Sequence, residues 1–346
     1  WEIEASSIGV ITEGPLLNVH AGGELVAEVP AASLADDAPL YHRPASRPTD
    51  LDARWAETPA LPRGDAGEIL RALLDDPAIG DRSWIYEQYD HMLFLNTVVG
   101  PGNDGSLLRV KGTEKGLAVS TDGDALRTWL DPRRGAARIV FESALNVAVT
   151  GARPYALVDN LNFGSPEVPE VMWQFIEAVD GMAWACEELD VPVVGGNVSF
   201  YNQTDGVDIY PAPVVGMLGF CDPMPERPPR LDRAEPGMSI WVVGPDPQGD
   251  FAASAHDRVI HGAVRGRPAD VDGDAARHMV SAAATLAFTM PVLHDVSAGG
   301  LAVALAEVAF RSGIGFAVDG LETADLFDET PLRFLAIGHG DALDTV

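Results

Sequence analysis

The segment Val193-Val194-Gly195-Gly196-Asn197-Val198-Ser199-Phe200-Tyr201-Asn202 places two glycines and several polar side chains directly after a short apolar strand. Paired glycines let a backbone approach a phosphate closely, and Asn197 and Ser199 supply oxygen ligands or donors beside it. A glycine bulge inside a strand explains the same pattern equally well. Taken alone, the segment therefore predicts either a phosphate-binding turn or an irregular strand.

Three further segments repeat this arrangement of an apolar strand followed by hydrogen-bonding residues and glycine. They are Ser120-Thr121-Asp122-Gly123-Asp124, Val158-Asp159-Asn160-Leu161-Asn162-Phe163-Gly164 and His294-Asp295-Val296-Ser297-Ala298-Gly299-Gly300. Open α/β sheets place ligand sites at strand ends, and Mg²⁺ prefers carboxylate oxygens. These segments are therefore candidate ligand and metal sites, with capped turns and a locally hydrogen-bonded His294 as the structural alternatives.

The segments between these motifs show helix and strand periodicity in turn. Apolar residues recur at helical spacing over residues 135–150, after Pro169, and over 299–311, and helices are also expected near 252–265 and 274–287. Short strands are expected at residues 8–11 and 25–29. The run Ile240-Trp241-Val242-Val243-Gly244 is typical of the first strand of a second unit. The pattern predicts two α+β units in tandem.

Composition excludes several classes of protein. The 346 residues carry 52 acidic and 23 basic side chains, a net charge of −29, which repels nucleic-acid phosphates. No apolar run reaches the roughly 20 residues that a membrane span needs. Two cysteines are too few for a disulfide framework. We therefore expect a cytoplasmic protein with neither a nucleic-acid nor a membrane partner.

Taken in order, these motifs resemble the formylglycinamidine ribonucleotide synthase family, the glutamine-dependent ligases of purine biosynthesis. The resemblance extends over about residues 1 to 340 and is most specific at Leu161-Asn162-Phe163-Gly164 and at residues 195–202. It also includes Asn96-Thr97-Val98-Val99, Ser120-Thr121-Asp122-Gly123, Asn146-Val147-Ala148-Val149-Thr150-Gly151-Ala152, Val171-Met172-Trp173-Gln174-Phe175 and residues 294–301.

The resemblance implies an α+β fold with tandem aminoimidazole-ribonucleotide-synthetase-like N-terminal and C-terminal domains, containing mixed sheets and packed helices. It implies the tail of a preceding C-terminal-type domain at residues 1–35 and a linker at 36–83. An N-terminal-type domain on the ATP and Mg²⁺ side would follow at 84–222, and a truncated C-terminal-type domain at 237–346. The sequence would then be the second half of the synthetase, and longer at both ends in nature.

The family reaction amidates formylglycinamide ribonucleotide to formylglycinamidine ribonucleotide, using ATP, Mg²⁺ and glutamine-derived ammonia. The implied partners are that ribonucleotide, the first half of the same enzyme, and a glutaminase subunit or domain. Such an enzyme is a ligase that forms a C–N bond.

Site residues carry over by motif match. Asp159 and Gly196 would contact ATP, Asn197 would ligate Mg²⁺, and Ser199 would contact the ribonucleotide. The active-site histidine of the family lies in the first half, outside this sequence, so no catalytic residue is assigned. The weaker candidates for an auxiliary nucleotide site are Asp122, Asp295 and Glu329.

Two departures from the family pattern bear on the auxiliary site. Asp250-Phe251-Ala252-Ala253-Ser254 stands where relatives have a glycine-rich segment, and Asp122-Gly123-Asp124 adds a carboxylate to a turn that is usually Asp-Gly-Asn. One alternative function is a non-catalytic scaffold half with a structural nucleotide. Another is a related superfamily enzyme such as thiamine-monophosphate kinase or selenophosphate synthetase, which the two specific blocks disfavour.

Overall fold

The structure, a computed structural model, describes residues 3–340. The outer ends of the predicted domains, at residues 1–2 and 341–346, lie outside the described residues. The chain forms two compact units, one through Arg43 and one from Pro44 onward.

The first unit is built on a β-hairpin. Strands β1 (Leu16–Ala21) and β2 (Glu24–Pro30) pair antiparallel and are followed by a 3₁₀ helix at Ala31–Leu34. Gly22 and Gly23 connect the strands with φ of +60° and +88°, the left-handed conformation that a tight hairpin turn requires. Residues 8–11, for which the sequence predicts a strand, form no regular structure.

Helices α1 (Leu51–Ala56) and α2 (Ala66–Leu74) lie within the stretch for which the sequence predicts a linker, and α3 (Ser83–Tyr86) begins at its last residue. Asp65 caps α2 by accepting a hydrogen bond of 3.0 Å from the backbone N–H of Glu68. Ile69 and Leu73 of α2 belong to a buried cluster that includes Phe327, so this proline-rich stretch packs against the rest of the second unit.

A six-stranded mixed sheet forms the first part of the second unit. Its strands lie in the order β3-β4-β5-β10-β6-β7, antiparallel except for the parallel pair β6 and β7. The strands are β3 (Thr97–Val99), β4 (Ser106–Arg109), β5 (Gly116–Gly123), β6 (Arg153–Asn162), β7 (Val193–Ser199) and β10 (Ala212–Cys221), and a small separate hairpin consists of β8 (Gln203–Thr204) and β9 (Val207–Asp208).

Helices cover one face of this sheet. They are α4 (Ala125–Leu130), α5 (Pro132–Ala148) and α6 (Pro169–Leu189), and a 3₁₀ turn at Leu93–Leu95 precedes β3. Ile139 and Val140 of α5 and Met217 of β10 lie in the core between helices and sheet. On the opposite face, which we call the open face, the apolar side chains of Val119, Tyr155 and Val158 remain exposed.

A three-stranded antiparallel sheet organises the second part. Its order is β11-β13-β12, with β11 (Ser239–Val243), β12 (Val292–Asp295) and β13 (Phe334–Gly338). Its helices are α7 (Ala255–His261), α8 (Gly273–Leu286), α9 (Gly300–Ser312) and α10 (Thr323–Phe327), and a 3₁₀ turn lies at Leu231–Arg233. The predicted α+β class with mixed sheets and packed helices is confirmed. Within residues 3–340, no helix combines the length and the apolar character that a membrane crossing demands.

Candidate functional site

Asp159 and Gly196 lie side by side in the parallel pair β6 and β7. A Cβ atom on Gly196 would lie 2.4 Å from an Asp159 carboxylate oxygen, so any larger residue at this position would require the carboxyl group to shift. Partial burial raises the pKa of Asp159. The two residues that the sequence assigns to ATP are therefore in direct contact.

Along β7, Asn197 lies one position and Ser199 three positions beyond Gly196, and both side chains are on the other side of the sheet. Asn197 pairs with Asn160 and Ser199 with Asn162, and because side chains alternate along a strand, both project on the open face. The Asn197 amide nitrogen lies 3.4 Å from the Asn160 side-chain oxygen. This contact leaves the Asn197 oxygen directed away from Asn160 and able to act as a ligand.

A second group of polar residues lies where β5 meets α5. The Asn146 side-chain nitrogen donates to Asp122 Oδ1 at 3.0 Å. The other oxygen of each side chain, Asp122 Oδ2 and Asn146 Oδ1, is buried without a hydrogen-bond partner. Glu142 lies one helical turn before Asn146 on α5, and it lines a pocket together with Asp122. Unpartnered buried oxygens in this setting fit a hard divalent cation.

The carboxyl groups of this second group resist ionisation. Burial raises the pKa of Asp122 to about 6. Burial and the nearby Asp122 together raise the pKa of Glu142 to about 7. A bound cation would offset both effects, because it favours the charged forms.

Glu329 lies on the opposite wall of that pocket, fully buried and fully paired. Its Oε1 accepts hydrogen bonds of 2.8 Å from the backbone N–H groups of Ala255 and Gly299, and its Oε2 forms an ion pair with Arg127. Those amides belong to the first turn of α7 and the residue preceding α9. Glu329 therefore occupies the place where two helix N-termini could otherwise receive an anion.

Residues 250–254, which stand where a glycine-rich stretch is expected, are anchored by an ion pair. Asp250 pairs with Arg138, and Ala253 adopts a left-handed conformation at φ +51°, which normally favours glycine. The remaining pocket holds about 230 Å³, less than the roughly 300 Å³ at the lower end of ligand pockets. The structure thus gives this pocket room for a cation and little room for a larger group.

Asp295 lies in a neighbouring buried group. Asp104 Oδ1 lies 2.6 Å from His294 Nδ1, and Asp104 Oδ2 accepts from the Asp295 N–H at 3.1 Å. Burial and the nearby Asp104 raise the pKa of Asp295 well above its ordinary value. Burial opposes the charge on His294, but Asp104 and Glu307 outweigh it and raise the pKa of His294. His294 is thus held between the carboxylates of Asp104 and Glu307, which favour its charged form.

The candidate residues therefore form separate groups. Asp159, Gly196, Asn197 and Ser199 share the β6–β7 edge, but Asp159 lies on the helix-covered face, whereas Asn197 and Ser199 lie on the open face. Asp122 and Glu329 line one pocket. Asp295 borders an adjacent cavity, which Glu142 also lines. Glu142 and Asn146 are not among the site residues predicted from the sequence. Their spacing of four residues places two polar side chains on one face of α5, and this pattern could have indicated a site.

Two family models match most of this architecture. Residues 102–221 match AIR synthase related protein, N-terminal domain, and residues 235–337 match AIR synthase related protein, C-terminal domain. The chain belongs to this family of AIR synthase related proteins.

Within the family, the chain is similar to phosphoribosylformylglycinamidine synthase subunit PurL. It is 42% identical to the PurL subunit of Moorella thermoacetica over 354 residues, which cover 100% of this chain and 48% of that protein. The chain thus spans about half the length of this relative. The resemblance found in the sequence is confirmed.

Solved structures of Thermotoga maritima proteins share the fold. The PurLQS structure superposes with a TM-score of 0.63 at 24% identity, covering 95% of this chain and 47% of the other. PurL complexed with AMPPCP gives 0.62 at 24% identity, covering 94% and 47%. PurL complexed with FGAR gives 0.61 at 24% identity, covering 94% and 45%.

Proposed function

We propose that this chain supplies the second half of the active site of an ATP-dependent ligase in purine biosynthesis. The ligase amidates formylglycinamide ribonucleotide to formylglycinamidine ribonucleotide with glutamine-derived ammonia. The reaction consumes ATP and ammonia and yields ADP and phosphate: ATP phosphorylates the amide oxygen, and ammonia then displaces phosphate. The observation that carries the proposal is the 42% identity to PurL along the whole chain.

The β6–β7 edge supports a role in binding both substrates. In the proposed site, Asp159 and the Gly196 backbone contact ATP, and Ser199 contacts the ribonucleotide. The relatives whose solved structures hold AMPPCP and FGAR share this fold. The tight contact of Gly196 with Asp159 holds the carboxylate against the backbone and so fixes its position.

The exposure of the site supports its being completed by another polypeptide segment. Asn197 is exposed, and the open face beside it presents Tyr155 and Val158 with 63% and 46% of their surface accessible. Exposed apolar groups of this kind mark interaction surfaces. We infer that the first half of the enzyme covers this face, and that a glutaminase subunit or domain delivers ammonia in the cytoplasm.

The oxygen-rich residues fit the Mg²⁺ that the proposed reaction uses. Asn197 would hold one ion at the edge, and Asp122, Glu142 and Asn146 would hold another at the pocket, where two buried oxygens lack partners. When bound, Mg²⁺ neutralises phosphate charge. The chain's own contribution is to orient the carboxylates and amide oxygens and to exclude water from the pocket.

The decisive experiment is an ADP-release assay with Mg²⁺, ATP, ammonium and formylglycinamide ribonucleotide. The chain is assayed alone and with a polypeptide covering the half of the Moorella subunit that this chain does not match. We expect ribonucleotide-dependent ADP release only in the mixture. Replacing ammonium by glutamine is expected to abolish it until a glutaminase is added.

Each other result contradicts part of the proposal. Ribonucleotide-dependent turnover by the chain alone would refute the shared site. If circular dichroism shows both polypeptides folded and the mixture is inactive, the amidation proposal fails and the scaffold alternative is preferred. Activity with glutamine but without a glutaminase would exclude a separate ammonia-delivering partner.

A further inference from the structure

Asn202 lies at the end of the turn that follows Ser199, and its side chain closes that turn. Its Nδ2 donates to the backbone carbonyls of Phe163 and Ser199, at 2.9 and 2.8 Å. Its backbone N–H also donates to the Phe163 carbonyl, at 3.2 Å. Asn202 therefore joins the segment after β6 to the segment after β7.

These contacts determine which way the Asn202 amide faces. An amide nitrogen has two hydrogens, and both are used on carbonyl oxygens. Rotating the amide by 180° would place its oxygen against the same two carbonyls, with no hydrogen between them. The oxygen of Asn202 must therefore be the atom that faces the Ser199 hydroxyl, 3.2 Å away.

The Ser199 hydroxyl is polarised as a consequence. An amide oxygen can only accept, so the Ser199 O–H donates to it. Among the hydrogen bonds of residues 3–340, no donor is directed at Ser199 Oγ. Its lone pairs are therefore available to a ligand, while its single proton is committed to Asn202.

The surroundings hold this arrangement in place. The rings of Phe163, Phe175 and Phe200 pack against one another beneath the turn, with centroids 5.0–6.5 Å apart. On the neighbouring hairpin, Asp208 accepts from the Ser165 N–H at 3.0 Å. A turn fixed on two sides keeps its side chains in one conformation, which favours a preorganised contact.

We propose that Asn202 is a positioning residue that makes Ser199 a hydrogen-bond acceptor, so that Ser199 selects a donor group on the ribonucleotide. That donor is an amide N–H or a ribose hydroxyl, and the phosphate is excluded because its oxygens can only accept at neutral pH. This inference rests on the proposed function, since it takes the ribonucleotide as the ligand of Ser199.

The test uses the reconstituted enzyme and compares Ser199→Ala, Asn202→Ala and the double variant. Loss of one hydrogen bond predicts about a 10-fold rise in the KM for the ribonucleotide in each single variant, with the KM for ATP unchanged. The double variant is expected to be no worse than Ser199→Ala, because Asn202 acts through Ser199. Thr204→Ala, a substitution of an exposed side chain on the neighbouring strand β8, serves as the matched control and leaves both KM values unchanged.

A second measurement does not depend on how well Asn202→Ala folds. Ribonucleotide analogues with one amide N-methylated or one ribose hydroxyl O-methylated are bound to the wild-type protein and to Ser199→Ala. One analogue is expected to bind the wild type about 10-fold more weakly than the unmodified ribonucleotide does. The same analogue should bind Ser199→Ala as well as the unmodified ribonucleotide does. A third kind of analogue, which lacks the phosphate, is bound to the same two proteins. If only this analogue loses affinity for the wild type and not for Ser199→Ala, Ser199 faces the phosphate and the proposal is wrong.

The remaining outcomes are also decisive. If the increases in the KM for the ribonucleotide in the two single variants multiply in the double variant, Asn202 acts independently of Ser199. That result contradicts the positioning role of Asn202. A ribonucleotide that binds the wild type and Ser199→Ala equally well excludes the Ser199 contact while leaving the proposed function intact. A wild-type enzyme that does not bind the ribonucleotide contradicts the proposed function and this inference together.

Discussion

The β6–β7 edge and the pocket beside β5 contain similar residue types but use them in opposite ways. At the edge, Asn197 and Ser199 are accessible, and their oxygens are free to meet a ligand. In the pocket, Glu329 is fully buried and bonded to an arginine and two backbone amides. Oxygen-rich residues thus indicate a binding site only where their hydrogen bonds are not already satisfied within the protein.

Under the proposed function, this difference separates two roles within one chain. The edge would be a substrate site that another surface completes. In the pocket, Asp122 has one buried oxygen without a partner, as does Asn146, to which it is hydrogen-bonded, and the small volume fits a cation rather than a nucleotide. Substitutions in each region test this distinction.

Glu329→Ala should have the largest effect on stability. The substitution removes one of the carboxylates that neutralise buried Arg127 and leaves the amides of Ala255 and Gly299 unpaired. Breaking a buried pair in this way costs about 3–5 kcal/mol of unfolding free energy, measured by urea denaturation. Asp270→Ala is the control, because its ion pair with Arg134 lies at the surface, with 74% of the Asp270 side chain exposed. The control should lose less than about 1 kcal/mol.

Gly196→Ala should disturb the edge, and Gly195→Ala should not. A Cβ atom at Gly196 would lie 2.4 Å from the Asp159 carboxylate, whereas at Gly195 the nearest atom would be 4.0 Å away, on Val158. Overpacking of this kind costs about 1–3 kcal/mol, so only Gly196→Ala should lower the urea midpoint. Equal midpoints for the two variants would show that the Asp159 carboxylate moves aside at little cost and is not held against Gly196.

Glu142→Gln should change how stability depends on pH. The pKa of Glu142 rises from 4.5 to about 7 on folding, so between these values the folded protein holds a proton that the unfolded chain releases. Stability of the wild type is therefore lost as pH rises through this range, by about 1–3 kcal/mol from Glu142. Glu142→Gln removes that loss.

Mg²⁺ provides the control for this titration. If Asp122, Glu142 and Asn146 hold a cation, excess Mg²⁺ should restore wild-type stability near pH 7 and have little effect on Glu142→Gln. Unfolding free energies measured at pH 5 and pH 7.5, with and without Mg²⁺, give the comparison. Parallel pH profiles for wild type and variant would exclude a raised pKa at Glu142.

Val158→Ser should have the smallest effect on the chain itself. Val158 lies on the open face with 46% of its surface exposed, so the substitution should cost less than about 1 kcal/mol of unfolding free energy. It should nevertheless weaken association with the first-half polypeptide, measured by titration calorimetry. Leu157→Ala, on the buried face of the same strand, should cost about 2–5 kcal/mol. Unchanged association in Val158→Ser would argue against burial of the open face.

Local signals allowed much of the fold to be predicted from the sequence. The helix predicted at 135–150 is found at Pro132–Ala148, and it starts earlier because Asp131 caps it and Pro132 occupies its first turn. The strand predicted at residues 8–11 was wrong, because a short apolar run forms a strand only where a partner strand pairs with it. The helices within 36–83 were missed because proline and aspartate mask their short periodicity.

The site was only partly predictable. Motif matches grouped Asp159 with Gly196, but their contact depends on the parallel register of β6 and β7, which no local pattern specifies. The role of Glu329 in particular could not be foreseen. Its partners Arg127, Ala255 and Gly299 lie 202, 74 and 30 residues away in the chain, and only the folded structure brings them together.

The position of Glu329 has a mechanical consequence. One carboxylate links the first turn of α7 to the start of α9, and each link is a hydrogen bond of 2.8 Å that weakens steeply beyond about 3.2 Å. A displacement of α9 therefore stretches the bond from Gly299 and shifts the carboxylate that also holds Ala255. The starts of the two helices are coupled through a single oxygen atom.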